Sequence, residues 1–333
     1  MNARAINAET KNKAKAFGIS ALPLLLAAVF FIALVAFPVP SGKAVSASLK
    51  TCAERLIPTL FPFAVASELL VGLRFSEITG RLLGRPFSRF FGISECGAAA
   101  FVIGSLCGLP LGGRYAVSLY KSGALTASEC EKLMALSTNA GIGFTVIGIG
   151  YSLWGSLALG WLIYGAQILA SVAVGVTLFR PKKSLSIAPV NAETYQKPFS
   201  KLVVDAVSSS ALNMLNVCAF AVFFSTLSAI VANLCTQLSL PPLLGATFGA
   251  FSEIASGCRD LHAFALSNAP VNESSALLLT FFAVGFSGFS VHAQMLSLCD
   301  GIDLKMKKYF LSKLASGIVC ALTGAIVLHF LQF

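Results

Sequence analysis

The sequence predicts an all-α integral membrane protein, an inverted-topology repeat of helices with two re-entrant helical hairpins, which is a transporter-like architecture. Three observations lead there. The first is composition: of 333 residues, 56% are hydrophobic and 11% charged, and mean hydropathy is +0.81, where a soluble domain carries about 25% charged residues. The second is an internal repeat. The stretch from Gly104 to Arg114 (GSLCGLPLGGR) returns, degraded, from Gly249 to Arg259 (GAFSEIASGCR), and Gly143-Phe144-Thr145-Val146 matches Gly288-Phe289-Ser290-Val291 at the same offset of about 145 residues. Two matches in one register point to a duplicated unit, the way many transporters are built.

The third observation is where the cations fall. Place the N-terminus inside and let each hairpin return to its own side. Segments 1–17, 74–92, 121–132, 180–201 and 305–313 then carry 19 Lys or Arg inside, against Lys43, Lys50 and Arg55 outside. Cytoplasmic loops hold the excess of Lys and Arg, so this orientation is favoured. Copy one then enters from outside and copy two from inside, which makes the copies inverted.

In chain order, residues 1–17 are a polar, basic cytoplasmic segment. Residues 18–40 are a first transmembrane helix, about the length that crosses a 30 Å hydrocarbon core. Repeat 1 covers 41–179. It opens with an amphipathic interfacial helix over 41–56, then an apolar run, Leu56 to Leu73, interrupted by Pro58 and Pro62. Arg74, Arg81, Arg85 and Arg89 among apolar residues suit a helix lying at the head groups. The first hairpin spans about 94–120, with Gly108, Pro110, Gly112 and Gly113 breaking its middle. Such breakers are tolerated at membrane depth only where backbone is buried in protein or lines a cavity. A span with a polar break at Ser137-Thr138-Asn139 follows, then a span from Leu157 to Phe179. Residues 180–201 form a cytoplasmic linker. Repeat 2, 202–333, has a span over about 203–232, a hairpin over about 241–266 around Gly257, and spans over about 274–298 and 309–331.

Several function classes drop out. The net charge of +10 comes without a basic stripe interleaved with aromatics, so no nucleic-acid partner is expected. The nine cysteines have no C-x-x-C spacing, and Cys258 and His262 lack a second pair, so no metal is expected. No H-E-x-x-H, G-x-S-x-G or Walker motif occurs, so neither an enzyme nor a cofactor is expected.

The polar residues left at membrane depth carry the chemistry. Arg114 and Arg259, one in each hairpin, cannot deprotonate, and their planar forks match carboxylates. They form either a clamp for a small di-anion or structural pairs with Glu68, Glu253 or Asp260. Glu68 and Glu253 are the acids within apolar stretches, for coupling to Na+ or H+ or for charge pairing. Ser137, Thr138, Asn139 and Thr145, with Ser287, Ser290, His292 and Gln294, supply hydroxyl, amide and imidazole groups beside the hairpins.

The same residues carry a family resemblance. Leu60-Phe61-Pro62-Phe63, Ser67-Glu68-Leu69-Leu70, the Gly108–Arg114 stretch and Asn139-Ala140-Gly141 resemble the first half of the YlbJ-like sporulation integral membrane proteins. Glu253 to Cys258 and Gly285 to Gln294 resemble the second half, so the likeness covers roughly residues 44–330. That family is placed in the nucleoside-recognition or Gate group, with the spore maturation proteins. The resemblance implies a sporulation role and an anionic solute, dipicolinic acid, an aromatic dicarboxylate. The expectation is therefore a multi-pass transporter of a small organic dicarboxylate, working by alternating access. It would sit in the cell membrane, or the outer forespore membrane if the host sporulates, with the lipid bilayer, the solute and a coupling ion as partners and self-association as a homo-oligomer left open. Nucleoside transport, or a non-transporting scaffold of a sporulation complex, are the alternatives.

Overall fold

The computed structural model describes residues 21–73, 75–178, 198–267 and 271–331. The expected cytoplasmic segment 1–17 and most of the linker 180–201 lie outside the described residues. Helices account for the fold, and five are long and apolar enough to cross a membrane: Pro38–Gly72, Leu157–Thr177, Phe199–Gln237, Glu273–Leu298 and Met306–Phe330.

α1 (Ala21–Ala36) is apolar throughout and ends just before Pro38, which cannot extend it. α2 (Pro38–Thr51) starts on that proline, whose fixed φ suits a first helical turn. The interfacial helix expected over 41–56 is not a separate element. α2 passes through a π-helical turn, Cys52–Leu56, into α3 (Ile57–Gly72), making one helix of 35 residues. Pro58 would press its ring on the carbonyl of Glu54 in a regular α-helix. The wider π turn at that point relieves the contact, which is why the proline does not end the helix. α4 (Phe75–Phe91) is amphipathic as expected: Arg81, Arg85 and Arg89 are exposed while Phe87 and Phe91 are buried. Both rings pack on Phe101 of the next helix.

Broken helices recur at the offset of the sequence match. α5 (Gly97–Leu106) and α6 (Leu111–Lys121) form one broken hairpin, α10 (Pro242–Ser252) and α11 (Ile254–Ser267) the other. After the first come α7 (Ala127–Ser137), a non-helical break and a π-helical segment, Gly143–Tyr151. After the second come α12 (Val271–Phe286), Ser287 and α13 (Gly288–Leu298). Element starts 97 and 242, and 143 and 288, keep the sequence offset. α8 (Leu157–Leu178), α9 (Phe199–Gln237) and α14 (Met306–Leu331) complete the bundle.

The span expected over about 274–298 is present but interrupted. Ser287 and Gly288 are both left-handed, with φ of 78° and 76°, and two such residues in succession cannot continue a right-handed helix. For a serine that conformation costs about 1–3 kcal/mol and is sustained only by its surroundings.

The repeated glycines are where hairpin arms touch. A Cβ on Gly104 or on Gly112 would run into the other's Cα and into the Ser137 carbonyl; one on Gly257 would strike the Ala250 backbone. At the polar end of copy one, Thr126 and Glu129 form a capping box at the start of α7. Burial pushes the Glu129 carboxyl up. Hydrogen bonds donated by Thr126 and by the Ser94 backbone and hydroxyl outweigh it and hold the group below its ordinary range.

Candidate functional site

The two hairpin tips and the two broken spans meet at one place. A cavity of about 40 Å³ there is lined by Leu109 from the first tip, Glu253, Ile254 and Ala255 from the second, Ala140 and Phe144 from the first broken span, and Ser290, Val291 and Gln294 from the other. Leu56 and Leu60, with Val217 and Ala221 of α9, close its side. Glu253 is its one charged lining residue. It sits between α10 and α11 in extended conformation and accepts hydrogen bonds from the Ala255 and Ser256 backbone N–H groups at 3.0 and 2.6 Å. A carboxylate on the exposed donors of a helix N-terminus is favourable. The Gln294 amide donates to the Ser290 hydroxyl at 3.4 Å.

The first break is splinted from neighbouring helices. Gln167 of α8 accepts from the Ala140 N–H and donates to its carbonyl, both at 2.8 Å, and the Ser171 hydroxyl donates to the Leu136 carbonyl. Lys313 of α14 donates from Nζ to the Thr138 carbonyl at 2.6 Å. Within the break, Thr138 and Asn139 side chains donate to the Met134 and Leu136 carbonyls, and the Ser137 hydroxyl to that of Leu133. Gly108 is left-handed at φ 89° in the tip, beside cis-Pro110, and Gly113 abuts Met295 of α13 and Thr138. At the second break, His292 Nδ1 meets the Tyr309 hydroxyl at 3.1 Å.

Much polar capacity here is unused. Ser105 Oγ, Asn139 Oδ1 and Thr145 Oγ1 in copy one, and Ser252 Oγ, Ser287 Oγ and His292 Nε2 in copy two, are buried with no partner among the described residues. Each such group costs about 1–3 kcal/mol, and these six gather at the breaks and tips.

The two arginines do not face each other. Arg114 pairs with Glu68 at 3.4 Å and donates to Ser209 at 2.9 Å, beside a pocket of about 160 Å³. Arg259 pairs with Asp260 at 3.0 Å and reaches Thr51 at 3.5 Å, on a cavity of about 550 Å³ shared with Lys43. Thr51 and Glu68 lie on the same continuous helix, about 25 Å apart at 1.5 Å per residue. Leu56 and Leu60, on the central cavity, fall between them. A clamp closing both guanidiniums on one solute is therefore not the geometry, because the helix between them holds them in two separate pockets. Glu253 pairs with neither.

Three residues at the site escape a reading of the sequence alone: Gln167, Tyr309 and Lys313. Lys313 falls at the edge of the basic segment 305–313 and counts there as a topology charge. Its signal is that Phe310, Leu311 and Leu314 surround it, so it already lies inside the last span. Gln167 is the lone amide of an uncharged α8.

The fold and site define an all-helical, multi-pass integral membrane protein with discontinuous helices meeting in its interior. The chain is 27% identical, over 91% of its own length and 82% of the relative's, to the sporulation integral membrane protein YlbJ of Bacillus subtilis (strain 168). This supports its reading as a YlbJ-like sporulation membrane protein. No family model matches the chain, and no solved structure does.

Proposed function

We propose that the protein transports a small organic dicarboxylate across a membrane by alternating access around its paired hairpins. One observation carries the reading: a single cavity is bounded by both hairpin tips and both broken spans. Broken helices meeting around a solute site are the usual arrangement in transporters built from inverted repeats. Dipicolinate, the solute that the family resemblance implies, suits the positions of the cations. Arg259 with Lys43 at one mouth and Arg114 at the other would receive carboxylates in succession, each arginine loosening its own acid as it does so. Ser290, Gln294 and the unpartnered Asn139 and Thr145 oxygens would meet the solute between them. In this topology the N-terminus is cytoplasmic, and Glu253 is the acid placed to answer a coupling ion.

Labelled dipicolinate uptake into liposomes holding the purified protein tests this, with other dicarboxylates and nucleosides as competitors. Saturable uptake blocked by dicarboxylates alone is expected. Competition by uridine or adenosine would favour nucleoside transport, and no uptake by folded, inserted protein would favour the scaffold. Arg114→Gln and Arg259→Gln should each lower uptake at least about tenfold, a rise of about 1.4 kcal/mol in the barrier. The double variant Arg114→Gln/Glu68→Gln leaves no unpaired carboxylate. It should stay impaired if the arginine serves the solute, and regain uptake if the arginine serves only Glu68.

A further inference from the structure

The first broken span ends, at membrane depth, on the feature that binds cations in discontinuous helices: the carbonyl end of α7, with its partial negative charge. What occupies that end is the amino group of a lysine. Lys313 is 1% exposed and bonds the Thr138 carbonyl at 2.6 Å. No ion pair to it occurs among the described residues. α8 carries no charged side chain. The carboxylates of α7 lie at its far end, where Glu129 caps the helix and Glu131 accepts from the Lys305 backbone N–H; Lys132 is there too. Glu273 is in the first turn of α12, and the opposite end of that helix, at Gly285, is what meets Ser316 and Gly317 of α14. The titratable groups that do face Lys313 are His292 and, on its own helix, Tyr309 and Cys320, all 2% exposed or less. None supplies a fixed negative charge.

We infer that Lys313 is a tethered cation standing where a free metal ion would otherwise bind, so that the first broken span is held or released by protonation of this side chain and not by sodium. This deepens the transport reading and rests on it. An uncompensated ammonium inside a bilayer is costly, and lysine, unlike arginine, can shed its charge there by giving up a proton. The neutral amine donates more weakly to the Thr138 carbonyl, freeing α7 from α14. Proton loss and recovery at Nζ thus give the break two states.

The test is dipicolinate uptake by wild type and variants from mildly acidic to mildly alkaline pH, in sodium and in choline. Wild type should be indifferent to the exchange of sodium for choline and should vary with pH. Lys313→Arg, permanently charged, and Lys313→Met, permanently neutral, should both lose the pH dependence, with uptake lowered at least about tenfold. Melting supplies a readout that needs no transport: sodium should stabilise Lys313→Ala, whose carbonyl end is vacated, and leave wild type unmoved. Sodium-dependent uptake by wild type, a wild-type pH profile in Lys313→Met, or equal melting of Lys313→Ala with and without sodium would each overturn the inference. If wild type moves no dipicolinate, the transport reading fails, and the melting comparison still decides whether Lys313 fills a cation site. Should Lys313→Ala fail to fold, wild-type uptake in sodium against choline decides.

Discussion

Gly112→Ala is expected to unfold the first hairpin. The added methyl has no flexible neighbour to displace: it meets the Ser137 carbonyl and the Gly104 Cα, both backbone, and Ser137 Cβ at 2.9 Å. Overpacking a closed interior costs about 1–3 kcal/mol, and more where only backbone can move. Here the parts that would have to move are the two hairpin arms and the end of α7. The melting temperature in detergent should fall far or the folded protein be lost altogether, with Gly104→Ala behaving alike. Gly165→Ala is the control. A methyl there meets nothing within 4 Å, and exchanging Gly for Ala within a helix favours it by roughly 0.5–1 kcal/mol, so melting should hold or rise. If Gly112→Ala melts like wild type, the close packing of hairpin on broken span is not as described.

Glu253→Ala should have the largest effect on transport. It deletes the only charged lining residue of the central cavity and the acceptor for two N–H groups at the start of α11. Loss of a helix cap alone costs about 0.5–2 kcal/mol, so the protein should fold but melt lower. Uptake should fall at least about tenfold. Glu253→Gln separates the two roles, since the amide keeps one acceptor oxygen for the helix and no charge. It should recover most of the melting temperature and little of the uptake. Wild-type uptake by Glu253→Gln would make this residue a cap and nothing more.

Part of this arrangement is legible in the sequence: Gly108 and Pro110 do mark the first break, whereas Gly112, Gly113 and Gly257, expected as breakers, lie inside α6 and α11, where their lack of a Cβ serves close packing. Gly104 and Gly112, and Gly249 and Gly257, mark the hairpins by their spacing alone, and the shared offset places α5 on α10 and the π-helical segment on α13. The positions of the arginines are not legible. Arg114 and Arg259 occupy equivalent places in the repeat, yet what each touches depends on which turn of a long α2–α3 helix passes it. That helix is itself hidden in the sequence, since Pro58 and Pro62 read as interruptions while a π turn absorbs the first. The break at Ser287 is equally hidden: Gly285-Phe286-Ser287-Gly288 has no proline, and only the backbone shows two left-handed residues there. Lys313 is misplaced by counting charge along the chain, because a lysine near a helix end is normally at the interface and this one turns inward to a carbonyl on another element.

Alternating access requires that the cavity between the hairpin tips open to each side of the membrane in turn. The most direct measurement places a cysteine at Ser290, on that cavity, and follows its labelling by a membrane-impermeant thiol reagent applied to one face or the other, resolved from the native thiols by mass spectrometry. Labelling from both faces is predicted, with saturating dipicolinate protecting the site. Labelling from one face only, or from neither while uptake proceeds, would contradict alternating access at this cavity.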